Sequence, residues 1–231
     1  MNTTSNILTF TTQADELRSY FAASWTKDES KVKSGGLLVG FDLDDIFSDP
    51  QGMLAYLIPK NSSFPVDILA SKKQFGFFIQ GDWKNSLGSI KSPYILDIDE
   101  HDVGKDNYSR KVYAFDIPKE INLRAGLTVH NECGTWSSWP THEFESRALA
   151  SPANTFPDFS EVFAFVTDPP GGWGLQTFVG KNGTQVKAIA DREIVTIPIS
   201  LHPVVGAPDV RMAYFWAYTN GGEKFTKEGR V

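Results

Sequence analysis

The sequence predicts an all-β protein, two β-barrels in tandem preceded by a short N-terminal helix. Two observations carry that prediction. From Gly36 onward the chain is a succession of short apolar or alternating runs, each closed by Gly, Pro, Asn or Asp. These runs outnumber the roughly 8 strands of one small barrel, and a polar crossing, "DIPKEINLR" near 116–124, separates two comparable halves. The expected division is therefore an N-terminal barrel over 1–118, including the helix and its connector, and a C-terminal barrel over 119–231.

The helix is read from "QADELRSYFAASW". Thr12 caps it, Asp15 follows three residues on, and Leu17, Tyr20, Phe21 and Trp25 recur at helical spacing. A charged connector, "TKDESKVKSGG", comes next. In the first half the expected strands are "LLVGFDL", "MLAYLIP", "VDILA", "FGFFIQ", "PYILDI" and "KVYAFDI". In the second they are "LRAGLTVH", "EVFAFVT", "LQTFVG", "QVKAIA", "EIVTIPISLH" and "MAYFWAYT". The turn signals "PPGGWG" at 169–174, "NG" at 182–183 and "NGG" at 220–222 separate strands or follow the last of them. No repeat with a period of about 20–50 residues is visible, which disfavours solenoids and propellers.

Composition narrows the function. With 231 residues, 41% hydrophobic and 22% charged, the chain has ample material for a core. A net charge of −6 and the lack of any Lys/Arg cluster argue against nucleic acid and anionic membranes as partners. No apolar run reaches the ~18 residues of a membrane span, and "MNTTSNILTF" lacks the basic start and apolar centre of a secretion signal, so a cytoplasmic protein is expected. Cys133 is the single cysteine, which leaves no intrachain disulfide and no thiolate metal cluster. Its surroundings, "NECGTW", match no thiol-enzyme signature, and a small side chain at a strand end is the plainer reading.

Chemistry concentrates in the second half, which holds His130, His142 and His202 of the four histidines together with Glu161 and Gln176. Along "REIVTIPISLHPVV", strand alternation puts Thr196, Pro198, Ser200 and His202 on one face, so His202 would end a polar face. Lining a barrel interior, its imidazole would be suited to a metal. Glu161 shares its side of "EVFAFVT" with Phe163 and Phe165, and a carboxylate there is costly unless a set of donors or something charged, such as a metal, meets it. The alternative is that position 161 still belongs to the preceding loop, with its carboxylate in water. His142 follows "WSSWPT", with Phe144 on the same side of an extended chain and Glu143 and Glu145 on the other. The alternative there is a hydrogen-bonded core or rim side chain. His101, in "DIDEHD", reads as a solvated loop residue.

Taken together, "GTWSSWPTHEFE", "SEVFAFVTDPPGGWGLQTFV", "REIVTIPISLHPVV" and "RMAYFWAY" resemble, in order and spacing, the C-terminal barrel of the 5-deoxyglucuronate isomerase family of myo-inositol catabolism. That family belongs with the 5-keto-4-deoxyuronate isomerases among the double-barrelled cupins. The resemblance is dense from about Leu127 to Tyr218 and thinner upstream. It implies a bicupin, two double-stranded β-helix barrels, and a metal-dependent aldose–ketose isomerase of a small sugar acid. His142, Glu161 and His202 would be ligands of a divalent ion (zinc, manganese, iron or nickel), and Gln176 would donate to a substrate hydroxyl. No residue is assigned as the catalytic base. A homodimer would be unsurprising.

The departures matter as much. Phe144 stands where the family has a second ligand histidine, so the site keeps two histidines and one carboxylate, a set that still holds a divalent ion with water completing the shell. "FAFVTD" replaces the family's aromatic pair and His-Arg, and the sequence ends at Val231, short of the family tail. These changes make a second reading possible: a catalytically degenerate cupin, with or without metal, that binds a carbohydrate acid.

Overall fold

The computed structural model describes residues 36–59, 62, 74–80, 92–119, 121, 123–139, 159–180, 183–198 and 200–218. For 74–80, 159–160 and 198 the description covers the backbone alone. The helix expected over 13–25 and the strand expected over 66–70 lie outside these residues. Among the described residues the regular elements are strands, with two short 3-10 turns at Pro50–Gly52 and Asp106–Tyr108, so the all-β class stands. No helix among them is long and apolar enough to cross a membrane.

The chain divides into two compact units, one drawn from Met1–Ile98 with Phe115–Ile121 and the other from Asp99–Ala114 with Asn122–Val231. The first holds a four-stranded antiparallel sheet of β1 (Gly36–Phe41), β2 (Leu54–Ile58), β3 (Gln74–Gln80) and β4 (Tyr94–Ile95), in the order β3-β1-β2-β4. Its central strand, "GLLVGF", is buried along its whole length. An unbroken apolar run is what a strand covered on both faces requires.

The second unit continues with β5 (Ile98–Val103), β6 (Arg110–Phe115), β7 (Arg124–His130), β8 (Trp136–Ser137), β9 (Phe159–Asp168) and β10 (Trp173–Gly180), then β11 (Gly183–Ala190), β12 (Ile194–Pro198), β13 (Val204–Gly206) and β14 (Arg211–Tyr218). Two sheets result, β12-β9-β14-β7-β6-β5 and β11-β10-β13-β8. Counted from β7, the strand orders 6-3-8-1 and 5-4-7-2 are those of an eight-stranded jelly roll, the double-stranded β-helix of cupins. β6 and β5 extend its larger sheet, so a hairpin that precedes the crossing in sequence is added to the barrel that follows it.

The apolar interior is built from alternate positions: Phe163 and Phe165 on β9, Val195 and Ile197 on β12, Met212 and Tyr214 on β14, Ile189 on β11 and Val204 on β13. Burial of each large side chain contributes about 1.5–3 kcal/mol. Both faces of β9 and β14 are buried, since Val162, Ala164, Ala213 and Phe215 on the opposite side are also sequestered. Gly126, paired with Trp216, is dictated by contact. A Cβ there would lie 2.4 Å from the Tyr113 carbonyl oxygen and 2.6 Å from the Trp216 ring.

Polar groups enter this interior in pairs. The Tyr214 hydroxyl lies 2.6 Å from Ser137 Oγ and ties the larger sheet to the smaller. His130, fully buried, sets its ring edge-on to Tyr214, with 6.2 Å between centroids. Thr135 donates its hydroxyl to the Glu132 carbonyl at 2.8 Å, so it can only accept from His130 Nδ1, 3.3 Å away. Arg110 Nη1 donates to the Tyr108 carbonyl at 3.0 Å and Nη2 to the Trp139 carbonyl at 3.2 Å, fastening the end of "WSSW" to β6. Arg211 Nε donates to the His130 carbonyl at 2.7 Å. Burial first, then the Arg110 charge, lower the His130 pKa to about 3, against an opposing hydrogen bond with Thr135 and with a lesser push from Arg211.

Two predictions follow from these polar contacts. Tyr214→Phe leaves Ser137 Oγ, 0% exposed, without that partner and should cost about 1–3 kcal/mol in chemical denaturation. For His130, both states are neutral above pH 6.5, whereas between about 6.5 and 3 the unfolded chain takes up a proton that the native state refuses. Stability should therefore fall with pH across that window, by up to about 1.4 kcal/mol per unit from this residue. In urea titrations between pH 6 and 4, His130→Gln should show a visibly shallower fall, and superimposable slopes would refute the assignment.

Candidate functional site

The site forms where the chain changes sheets. β12 pairs with β9, and Val195 and Ile197 point inward while Thr196 is exposed. Simple alternation would then send His202 outward with Thr196. It does not, because the pairing shifts register at Ile197/Pro198 and the strand ends there. The chain then joins the smaller sheet through a bridge between Leu201 and Val179, and His202 falls beside Phe178 on the inward face of β10. The polar face expected over 196–202 is thus corrected: His202 is 0% exposed because the strand breaks, not because it continues.

Glu161 belongs to β9, not to a solvated loop, and is 4% exposed. It pairs with Ile197 and lies on the same side as Phe163 and Phe165. Its Oε2 makes no hydrogen bond among the described residues and faces His202 Nε2 at 3.3 Å. Phe163 lies against both interior rings, 5.7 Å from His202 and 4.4 Å from Tyr214 between centroids. Burial raises the Glu161 carboxyl above its ordinary range, and the neighbouring imidazole draws it back.

The tautomer of His202 follows from its other nitrogen. Nδ1 lies 3.0 Å from the Ser200 carbonyl, an acceptor only, so Nδ1 carries a proton and Nε2 is the nitrogen turned to the carboxylate. A carboxylate oxygen and an imidazole nitrogen 3.3 Å apart in a dry interior need a proton or a cation between them. A carboxylate oxygen and an imidazole nitrogen oriented through its far N–H are what a divalent ion takes as ligands, so this pair fits a metal. Among the described residues no three His, Cys, Asp or Glu side chains gather as a complete site. The third expected ligand, His142, lies outside them, as does Phe144.

Gln176 is 0% exposed on the inward face of β10. Its amide nitrogen is engaged with backbone carbonyls, at 2.8 Å from His202 and 3.2 Å from both Pro203 and Thr177. Three acceptors around one nitrogen fix the amide orientation and already engage its N–H groups. What the residue retains is Oε1, a buried acceptor with no hydrogen bond among the described residues.

Sequence reasoning passed over Tyr218. Ala217 pairs with Val162 and Tyr218 with Arg124, which places Tyr218 beside Glu161 in register. Burial, then the Glu161 charge, hold its phenol up at about 12 against the pull of Arg124. The signal was available, since "RMAYFWAY" alternates Tyr214, Trp216 and Tyr218 on one face. His101 is exposed as expected, though on β5 and not in a loop, and Cys133 is exposed in the turn after β7.

The chain is similar to known proteins in sequence and in fold. The chain is similar to a 5-deoxy-glucuronate isomerase of Shouchella clausii, 30% identical over 102 residues that make up 43% of this chain and 36% of that protein. It is also similar to a 5-deoxy-glucuronate isomerase of Bacillus velezensis, 33% identical with the same coverage. The match thus spans little more than a third of these relatives. The crystal structure of an IolB-like protein from Salmonella typhimurium superposes with a TM-score of 0.62 over 87% of this chain and 81% of that one, at 13% identity, and so shares its fold. The model of the KduI/IolB family matches residues 45–227, most of the sequence, and the chain belongs to that family.

Proposed function

We propose that this protein is a metal-dependent aldose–ketose isomerase of a sugar acid related to 5-deoxyglucuronate. The observation that carries the reading is the buried convergence of Glu161 Oε2 and His202 Nε2 in a chain of this family. His142, Glu161 and His202 would hold a divalent ion, zinc, manganese, iron or nickel.

Aldose–ketose isomerisation moves a hydrogen from C2 to C1 while charge develops on the carbonyl oxygen. The ion, when bound, supplies Lewis-acid stabilisation of that oxygen. The chain's own residues prepare the site. His202 keeps its proton on Nδ1, against the Ser200 carbonyl, and offers Nε2. Burial of Glu161 and His202 excludes bulk water, which strengthens every electrostatic interaction there. Gln176 Oε1 accepts from a substrate hydroxyl, and Tyr218 retains its phenol proton through the neutral range as a donor next to the carboxylate. The same reading makes the protein cytoplasmic, working on a dissolved small molecule.

One observation favours a second reading. Phe144 removes a family ligand, and a cupin that binds a sugar acid without turning it over would need no complete shell. Metal analysis of the purified protein, together with an isomerisation assay on 5-deoxyglucuronate, decides between the two. An isomerase should retain a divalent ion and turn the sugar acid over, and His202→Ala should weaken metal binding by more than about 100-fold, beyond the 10–100-fold typical of outer-shell changes. A metal-free, inactive wild type would overturn the enzyme reading. Phe144→His should raise metal affinity by at least about 10-fold in competition with a chelator, and an unchanged affinity would show that position 144 does not reach the ion.

A further inference from the structure

We propose that Gln176 is a positioning residue for His202, its side-chain amide standing in for the backbone N–H that Pro203 lacks. The inference deepens the metal-site reading above and rests on it for its functional meaning.

The register makes the vacancy visible. Val179 and Leu201 exchange both backbone hydrogen bonds, at 2.8 and 3.1 Å, and Gln176 pairs with Val204 in the same alignment. Thr177 and Pro203 fall between them as the next hydrogen-bonded pair of the ladder. Thr177 N–H donates to the Pro203 carbonyl at 2.9 Å. The reciprocal bond cannot form, because proline has no N–H to give the Thr177 carbonyl. Gln176 Nε2 lies 3.2 Å from that carbonyl and extends to the carbonyls of His202 and Pro203 at 2.8 and 3.2 Å.

One buried amide thus spans both strands at the single rung where the ladder is deficient, and that rung adjoins His202. His202 is held directly by this contact, through its own carbonyl. It follows a broken strand and sits between the bridge at Leu201 and the start of β13. Its Nδ1 contact to the Ser200 carbonyl is made within the same short crossing. If the crossing relaxes, the ring loses the partner that fixes its tautomer and the angle at which Nε2 meets Glu161.

The test removes the donors and then returns one. Gln176→Met keeps the length of the side chain without its N–H groups, and Pro203→Ala restores a backbone N–H to the rung. In nitrogen NMR of the metal-free protein, wild-type His202 should show a single Nδ1–H tautomer. Q176M should show a mixture, and Q176M/P203A should return toward the wild-type signature. Cobalt(II) affinity should fall about 10–100-fold in Q176M and recover in part in the double variant, with parallel changes in the visible absorption bands. Leu57→Ala, a buried position in the first unit, should lower Tm while leaving tautomer and affinity unchanged.

A wild-type tautomer in Q176M would overturn the inference, whatever the metal does, and so would failure of P203A to rescue either readout. Should Q176M fail to fold, Gln176→Glu on its own provides the test: its carboxylate, an acceptor facing three carbonyls, should disturb the tautomer at least as much. The predicted tautomer pattern in a protein that binds no metal would instead sustain the positioning role and sink the metal-site reading.

Discussion

A carboxylate oxygen and an imidazole nitrogen held 3.3 Å apart, out of water, define what the rest of the second barrel must accomplish. With Nδ1 held to the Ser200 carbonyl, the approach of Nε2 to the carboxylate is set by the surrounding structure. Phe163 and Phe165 wall off solvent on the strand that carries Glu161, and burial of those rings offsets the cost of the polar atoms sharing their face. The jelly roll supplies the geometry, because two sheets closing on one interior let β9 deliver the carboxylate and the crossing that leads into β13 deliver the imidazole.

Much of this was legible in the residues themselves. Alternating runs and turn signals gave the β class and most strands in order. The pairing of Glu161 with Phe163 and Phe165 on one face pointed to a carboxylate needing a partner. Alternation failed at His202 for a physical reason. Pro198 and Pro203 flank a crossing between sheets, and period-2 reasoning does not survive a change of sheet. Gln176 was visible as a candidate, but its role was not. Only the register shows that its amide is already committed to three carbonyls, leaving an acceptor where a donor was expected.

The opposite side of the polar interior shows another use of buried polarity. Tyr214, Ser137, His130 and Arg110 bind one another or nearby backbone and have no evident part in proton movement. Their bonds join sheets and hold the "WSSW" segment by its last carbonyl. Arg110 is significant here, since Trp139 lies three residues before the histidine expected to complete the metal shell. A guanidinium that saturates carbonyls in this way acts as a fixed strut, and its charge also helps keep His130 neutral.

Arg110 comes from the hairpin of β5 and β6, which lies before the crossing in sequence and yet extends the larger sheet of the barrel after it. The unit that carries Glu161 and His202 is therefore not a contiguous stretch of chain. During synthesis its outer two strands emerge well before the sheet they join, and must wait for β7 to cover an edge. Over evolutionary time the same interleaving means that the two units could not be shuffled as separate cassettes cut at the crossing, since a clean excision there would leave the second without its strut.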